Sequence, residues 1–171
     1  FFIGGCTNLF VADEGVKGLV VKNQVTKSII IKNKNIIEAP GGIVLGKVVD
    51  FSIKNSLGGL EWPGGLPGKF GGAIRGNAGA LGGETKDSVL YVRALDKKLH
   101  LRKFSNQQCQ FSYRSSIFKR EGWPILSAML KLKPEDGKKL REIANSRINY
   151  RKEKHPLEYP NAGSVFKNVP V

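Results

Sequence analysis

The apolar positions change their period several times along the chain, and each change marks a change of element. Phe1-Phe2-Ile3 is a continuous apolar run that stops at Gly4-Gly5, which reads as the tail of a strand entering a glycine turn. A further apolar segment, Leu9-Phe10-Val11, precedes a turn at Asp13-Glu14-Gly15. Short β-branched runs at Gly18 to Lys22, Ser28 to Lys32 and Ile36 to Ala39 predict strands, the last ended by Pro40-Gly41-Gly42. From Ile43 to Asn55 the spacing switches: Val44, Val48 and Phe51 fall on one helical face. Strands are predicted again over Ser88 to Leu95, His100 to Phe104 and Leu126 to Leu132, with Asp96-Lys97-Lys98 as the hairpin turn between the first two. Pro134-Glu135-Asp136 predicts a helix start, because Pro and acids suit a first turn. Leu140, Ile143, Ala144 and Ile148 supply that helix with an apolar stripe.

Between the predicted helix and the second group of strands lies the most glycine-dense stretch, residues 58–83. A long loop with little structure is uncommon in a compact domain unless it is functional. Gly64-Gly65-Leu66-Pro67-Gly68-Lys69-Phe70-Gly71-Gly72-Ala73 and then Gly76-Asn77-Ala78-Gly79-Ala80 suit backbone packed flat against a large ligand. Lys69 lacks the context of a nucleoside-triphosphate loop. Gly4-Gly5-Cys6-Thr7-Asn8 places glycines, a hydroxyl and an amide after a strand. That arrangement can serve a phosphate, but by itself it is more often an ordinary tight turn, and it is not the dinucleotide fingerprint of alternating glycines.

Composition narrows the classes. Hydrophobic residues make up 40% of the 171, enough for a core. The net charge of +14 is concentrated between Arg93 and Lys154, with 17 Lys and Arg against 6 Asp and Glu. Such a surplus attracts polyanions or smaller phosphate ligands, or simply solvates a surface. No zinc-ligand spacing or aromatic–basic pattern supports nucleic-acid binding. Cys6 and Cys109 form no C-x-x-C pair, so no metal site or redox motif is expected. No apolar run approaches the ~20 residues that span a bilayer. A cytoplasmic protein without membrane or nucleic-acid partners is expected, its oligomeric state left open. The ends read as those of a fragment, since no Met opens the chain and no finished element closes it.

Two further constellations carry candidate chemistry. Phe111-Ser112-Tyr113-Arg114-Ser115-Ser116 offers an Arg that can hold a carboxylate or phosphate, or stabilise a developing enolate. Asn161-Ala162-Gly163-Ser164-Val165-Phe166-Lys167-Asn168 sets a Ser beside a Gly with no His or Asp partner for a hydrolase triad. Taken in order, Gly-Gly-Cys-Thr-Asn, Gly-Leu-Pro-Gly, Asn-Ala-Gly-Ala, Tyr-Arg-Ser-Ser and Ala-Gly-Ser-Val-Phe-Lys-Asn resemble the UDP-N-acetylenolpyruvoylglucosamine reductases over essentially the whole chain.

The resemblance implies an α+β fold: a two-lobed FAD-binding domain, vanillyl-alcohol-oxidase/PCMH-like, followed by the beginning of a substrate-binding domain. The lobes are expected at 1–55 and 56–149, with 150–171 opening the substrate domain. It implies FAD as cofactor, held by Gly4, Gly5, Cys6, Thr7, Asn8, Pro67, Gly68, Gly71, Gly72, Asn77, Ala78 and Gly79. The family keeps Gly where this chain has Cys6. NADPH is the implied co-substrate and UDP-N-acetylglucosamine enolpyruvate the implied substrate, reduced to UDP-N-acetylmuramate for peptidoglycan synthesis. Arg114 matches the family's Arg that stabilises the intermediate, and Ser164 its proton donor. Tyr113, Lys154 and Asn168 match positions expected to contact substrate. The family's third catalytic residue, a Glu near its C-terminus, has no match here, so the piece alone is expected to be inactive. Two other readings compete: a different FAD-dependent oxidoreductase on the same scaffold, and a basic nucleic-acid-binding protein without catalysis.

Overall fold

The computed structural model describes residues 1–25, 28–156, 158–159, 163–164 and 166–168. Its elements run β1 (Phe2–Ile3), β2 (Val21–Lys22), β3 (Ile30–Asn33), β4 (Ile36–Pro40), α1 (Leu45–Lys54), β5 (Leu57–Gly58), α2 (Phe70–Arg75), β6 (Gly79–Ala80) and β7 (Gly83–Glu84). They continue with β8 (Val89–Leu95), β9 (Leu101–Ser105), α3 (Ile117–Arg120), β10 (Ile125–Lys131), β11 (Lys133–Pro134) and α4 (Gly137–Lys154). The mixture is α+β, as expected.

One antiparallel sheet, in the order β3-β4-β10-β8-β9, organises everything from Ile30 onward. Strand alternation gives it two unlike faces. Ile37 and Ala39 on β4, Val92 and Ala94 on β8, and Ala128 and Leu130 on β10 are fully buried. They meet Val48 of α1 and Phe70 and Ile74 of α2 in one core. Ala128 sits opposite both Ala39 and Val92, and small side chains there let α2 lie close on β10. The other face is polar: Glu38 accepts from Ser127 at 3.0 Å and pairs with Arg93 at 3.3 Å and Lys32 at 3.4 Å. The division expected at Asn55 falls inside this unit, because β3 and β4 precede it and β4 hydrogen-bonds to β10 beyond it.

The helix expected from the spacing after Ile43 forms as α1 and buries Leu45, Val48, Val49 and Ile53. The final helix starts later than its Pro suggests. Pro134 is taken by the short pair of β11 with β5, and Asp136 caps α4 by accepting from the Lys138 amide at 2.8 Å. Leu140 and Ala144 of α4 pack on Val49 and Ile53 of α1 in a smaller cluster. Its helical course continues past residue 149 to Lys154.

The stretch 58–83 is more ordered than its glycines predict. Gly64 and Gly65 rest on α4: a Cβ at Gly64 would stand 2.5 Å from the Ala144 carbonyl oxygen, and Arg151 donates to the Gly64 carbonyl at 3.2 Å. Within the stretch, Phe70, Ala73 and Ile74 face the core, and their burial stabilises α2 despite two glycines that disfavour helix.

Candidate functional site

The two glycine motifs that the sequence separates lie against each other. A Cβ on Gly5 would stand 3.2 Å from the Gly68 Cα, and one on Gly68 would stand 2.7 Å from the Thr7 hydroxyl oxygen. A third segment completes the layer. The Gly71 amide donates to the Gly41 carbonyl at 2.8 Å, Phe70 to Ile43 at 2.9 Å, and Leu45 to Gly68 at 3.0 Å. The result is a surface made mostly of backbone, with Thr7 half-buried and Asn8 and Pro67 exposed. Cys6 sits on it in the left-handed region, at φ 58°, with its thiol exposed and free. L-residues enter that region only at a cost, which is the physical reason a glycine belongs there.

Gly72 differs from its neighbours. It is helical and exposed, and a Cβ there would meet nothing within 4 Å. Among the described residues nothing requires a glycine at this position, where alanine would favour the helix by about 1 kcal/mol. The open space leaves room on the exposed side of α2, as it does at Gly46 on α1. At the start of a helix only six residues long, it adjoins the backbone layer.

The other end of α2 carries a second constellation. Asn77, fully buried and at φ 42°, bonds in three directions. Its amide nitrogen donates to Glu84 and to the Ser112 carbonyl, both at 3.1 Å, and its oxygen accepts from the Lys86 amide at 3.0 Å. It thereby ties α2, the β6–β7 hairpin and the turn at 112–115 together. That turn closes with mutual backbone bonds between Ser112 and Ser115 at 3.1 and 3.0 Å, and it presents Tyr113 and Arg114. Arg114 is held at φ 55°; Lys119 donates to its carbonyl at 3.0 Å. Ser116 caps α3 and donates to the Arg75 carbonyl at 2.7 Å, joining the turn to the end of α2.

Tyr113, Arg114, Glu84, Lys86, Asp87 and the glycine hairpin line a cleft of about 410 Å³. The Lys86 ammonium, 2.7 Å from Glu84, holds that carboxyl below its usual range; partial burial opposes the shift, and Asn77 and Arg114 add to it. Lys119 is lowered as well, but here the shift disfavours the charged form. Burial pushes its ammonium down, and the nearby positive charges of Lys167, Arg75 and Arg114 push it further. Four cations thus converge beside the cleft, a field suited to an anionic ligand. A second cleft, of about 360 Å³, lies at the β8–β9 turn around Asp96, His100, Arg102 and Trp123, and shares no residue with the expected site.

Of the residues expected from sequence, Gly4, Gly5, Cys6, Thr7, Gly68 and Gly71 meet in the backbone layer, with Asn8, Pro67 and Gly72 beside them in the chain. Gly79, Tyr113 and Arg114 meet in the cleft. Asn168 joins them: its amide donates to the Tyr113 hydroxyl at 3.4 Å. The Asn77 side chain is occupied by internal bonds, and the Ala78 carbonyl accepts from the Thr85 amide and hydroxyl. Ser164 is exposed and is not among the described residues lining the cleft, and Lys154 is exposed at the last residue of α4. Asn161, Ala162 and Val165 of the serine motif, with Pro160 and 169–171, lie outside the described residues. Glu84, Lys86 and Lys119 lie beyond the sequence reading; the signal available was a charged pair directly after a glycine stretch and a Lys one helical turn after Ser115. Among the described residues no cluster of His, Cys, Asp or Glu could hold a metal ion, and no helix is long and apolar enough to cross a membrane.

Residues 1–105 match the FAD binding domain family. The chain belongs to that family. The match spans the backbone layer, α2 and the glycine hairpin, and ends before the Tyr113–Arg114 turn. The whole chain is also similar to proteins described as UDP-N-acetylenolpyruvoylglucosamine reductase. The one from Caldanaerobacter subterraneus subsp. tengcongensis is 42% identical over 173 residues, covering 99% of this chain and 56% of that protein. The one from Clostridium tetani is 40% identical over 167 residues, covering 98% and 54%. In structure the chain resembles UDP-N-acetylenolpyruvylglucosamine reductase from Thermus caldophilus, with a TM-score of 0.86 and 27% identity over 99% of this chain and 61% of that one. The chain thus spans about half the length of the curated relatives it matches.

Proposed function

We propose that the chain is the flavin-binding part of an NADPH-dependent reductase that converts UDP-N-acetylglucosamine enolpyruvate to UDP-N-acetylmuramate. The observation that supports this most is the placement of Arg114. It stands in a glycine-lined cleft at one end of α2, whose other end adjoins the backbone layer. A six-residue helix is about 9 Å long, within the reach of a dinucleotide's ring and pyrophosphate. Gly4, Gly5, Cys6, Thr7, Asn8, Pro67, Gly68, Gly71 and Gly72 would hold FAD on that layer. Backbone amides would serve a pyrophosphate there, and the open space over Gly72 would admit a flat group. Asn77 and Ala78 would act through their backbone and the loop they shape, and Gly79 by leaving room.

FAD, when bound, supplies the hydride that it takes from NADPH. The protein's part is electrostatic and protonic. As the β-carbon of the enol ether gains hydride, negative charge spreads onto the α-carbon and its carboxylate. The Arg114 guanidinium would pair with that carboxylate and stabilise the doubly charged intermediate more than the singly charged enolpyruvyl ground state. Ser164 Oγ would then give its proton to the α-carbon. Tyr113 and Asn168, already in contact, would close the substrate over Arg114, with Lys154 meeting the UDP-sugar.

The test uses the full-length protein. Flavin absorption should bleach on anaerobic addition of NADPH and return on addition of UDP-N-acetylglucosamine enolpyruvate. A flavin that bleaches but ignores this substrate would move the assignment to another oxidoreductase on the same scaffold. A protein that takes up no FAD would overturn it and bring the basic-surface reading forward.

A further inference from the structure

The Arg114 guanidinium has a partner that the reaction does not name. Its Nη1 lies over the bare Cα of Gly79, where a Cβ would stand 3.2 Å from it. The same Cβ would stand 2.9 Å from Glu84 Cγ, so Arg114 and Glu84 share the space a side chain at 79 would fill. Glu84 also reaches the turn by a second route. It accepts from Asn77, and the same Asn77 nitrogen donates to Ser112, the first residue of the turn that carries Arg114. Glu84 is itself fixed: its backbone amide donates to Asp87 at 2.8 Å in a reciprocal cap, and its carboxylate pairs with Lys86 at 2.7 Å.

We propose that Glu84 is a positioning residue for Arg114, setting the base of its turn through Asn77 and the direction of its guanidinium through charge. This rests on the reading of Arg114 given above. The Arg114 guanidinium stands in an open cleft, with Lys119 close enough for the two positive charges to repel. The Glu84 side chain borders the same space over Gly79, so its carboxylate, paired directly with Lys86, acts on Arg114 as a counter-charge at longer range. Arg114 thereby waits in one orientation before an anionic group arrives, which lowers the ordering needed in the transition state.

Glu84→Gln separates the two routes, because its amide oxygen still accepts from Asn77 while the charge is gone. Two measurements on the full-length FAD-loaded protein decide the matter. First, the side-chain 15N–1H signals of Arg114, assigned by their loss in Arg114→Lys, should be resolved in the parent and averaged or shifted in Glu84→Gln. This readout needs no substrate, so it stands even if the enol ether proves to be the wrong one. Second, flavin reoxidation by the enol ether should slow about tenfold in Glu84→Gln, and by less than about twofold when the substitution is added to Arg114→Lys. Unchanged Arg114 signals, or an equal slowing in both backgrounds, would overturn the proposal. A parent protein whose reduced flavin ignores the enol ether would overturn the functional reading instead, leaving the Arg114 signals to judge Glu84.

Discussion

Two glycine-rich regions flank α2, and they need glycine for different reasons. In the backbone layer, Gly5 meets Gly68 and Gly71 meets Gly41, so main chain presses on main chain. In the hairpin of β6 and β7, side chains do the pressing. Gly83 has Trp62 against it, with Cγ and Cδ1 each 2.5 Å from where a Cβ would lie, and Gly79 has Glu84 and Arg114. The first region is a joint between distant segments, closed by backbone hydrogen bonds. The second is a recess that seats particular side chains. Equal glycine density therefore reports two packing modes, main chain against main chain and side chain against a bare Cα.

The sharpest way to break this contrast is at Gly83. Alanine there should collide with the Trp62 ring, and overpacking should lower stability by about 3 kcal/mol, read as a fall in the urea midpoint. If Gly83→Ala is neutral, the recess is not built on side-chain packing. Asn77→Ala should follow, at about 2 kcal/mol, because it removes a fully buried side chain together with its bonds to Glu84, Ser112 and the Lys86 amide. Its loss should show in the same denaturation series.

Gly72→Ala should split stability from binding. The cofactor-free protein should gain up to about 1 kcal/mol from helix propensity, while FAD retention through gel filtration should fall. A gain in both would mean that no ligand covers Gly72. Cys6→Gly should add a smaller amount, about 0.5–1 kcal/mol, by relieving the left-handed φ, measured as a raised melting temperature. The exposed Cys6 thiol should also react with a thiol reagent in the native protein. Cys109 should not, because burial pushes its thiol up to about 12.

The smallest effect concerns pH. Glu84 has a lowered folded-state pKa, so its contribution is present above its unfolded value and is lost as pH falls through the lowered one. The stability gap between the parent and Glu84→Gln should therefore be constant near neutrality and close below about pH 4, in melts taken across that range. A gap that widens on acidification would contradict the Lys86 pair as its source.

Much of this was written locally. The three-and-four spacing after Ile43 gave α1, and Asp96-Lys97-Lys98 gave the β8–β9 hairpin, because helix faces and tight turns depend on near neighbours. The ordered motifs marked Arg114 and the glycine layer through their family resemblance. Other features were out of local reach. Helix α2 forms in a glycine-rich segment because Phe70, Ala73 and Ile74 find a sheet to cover. Pro134 joins a strand pair because Leu57 lies opposite it.

What the sequence determined by itself was where the chain turns, which faces are apolar, and which residues carry a hydroxyl, an amide or a charge. What the tertiary structure decided was adjacency: that Thr7 lies on Gly68, that Asn77 is buried and fully bonded, and that Glu84 and Arg114 meet over Gly79. The physical reason is range. Backbone preference and amphipathic period act over a few residues, whereas a seat for one guanidinium is assembled from segments that only the folded core brings together.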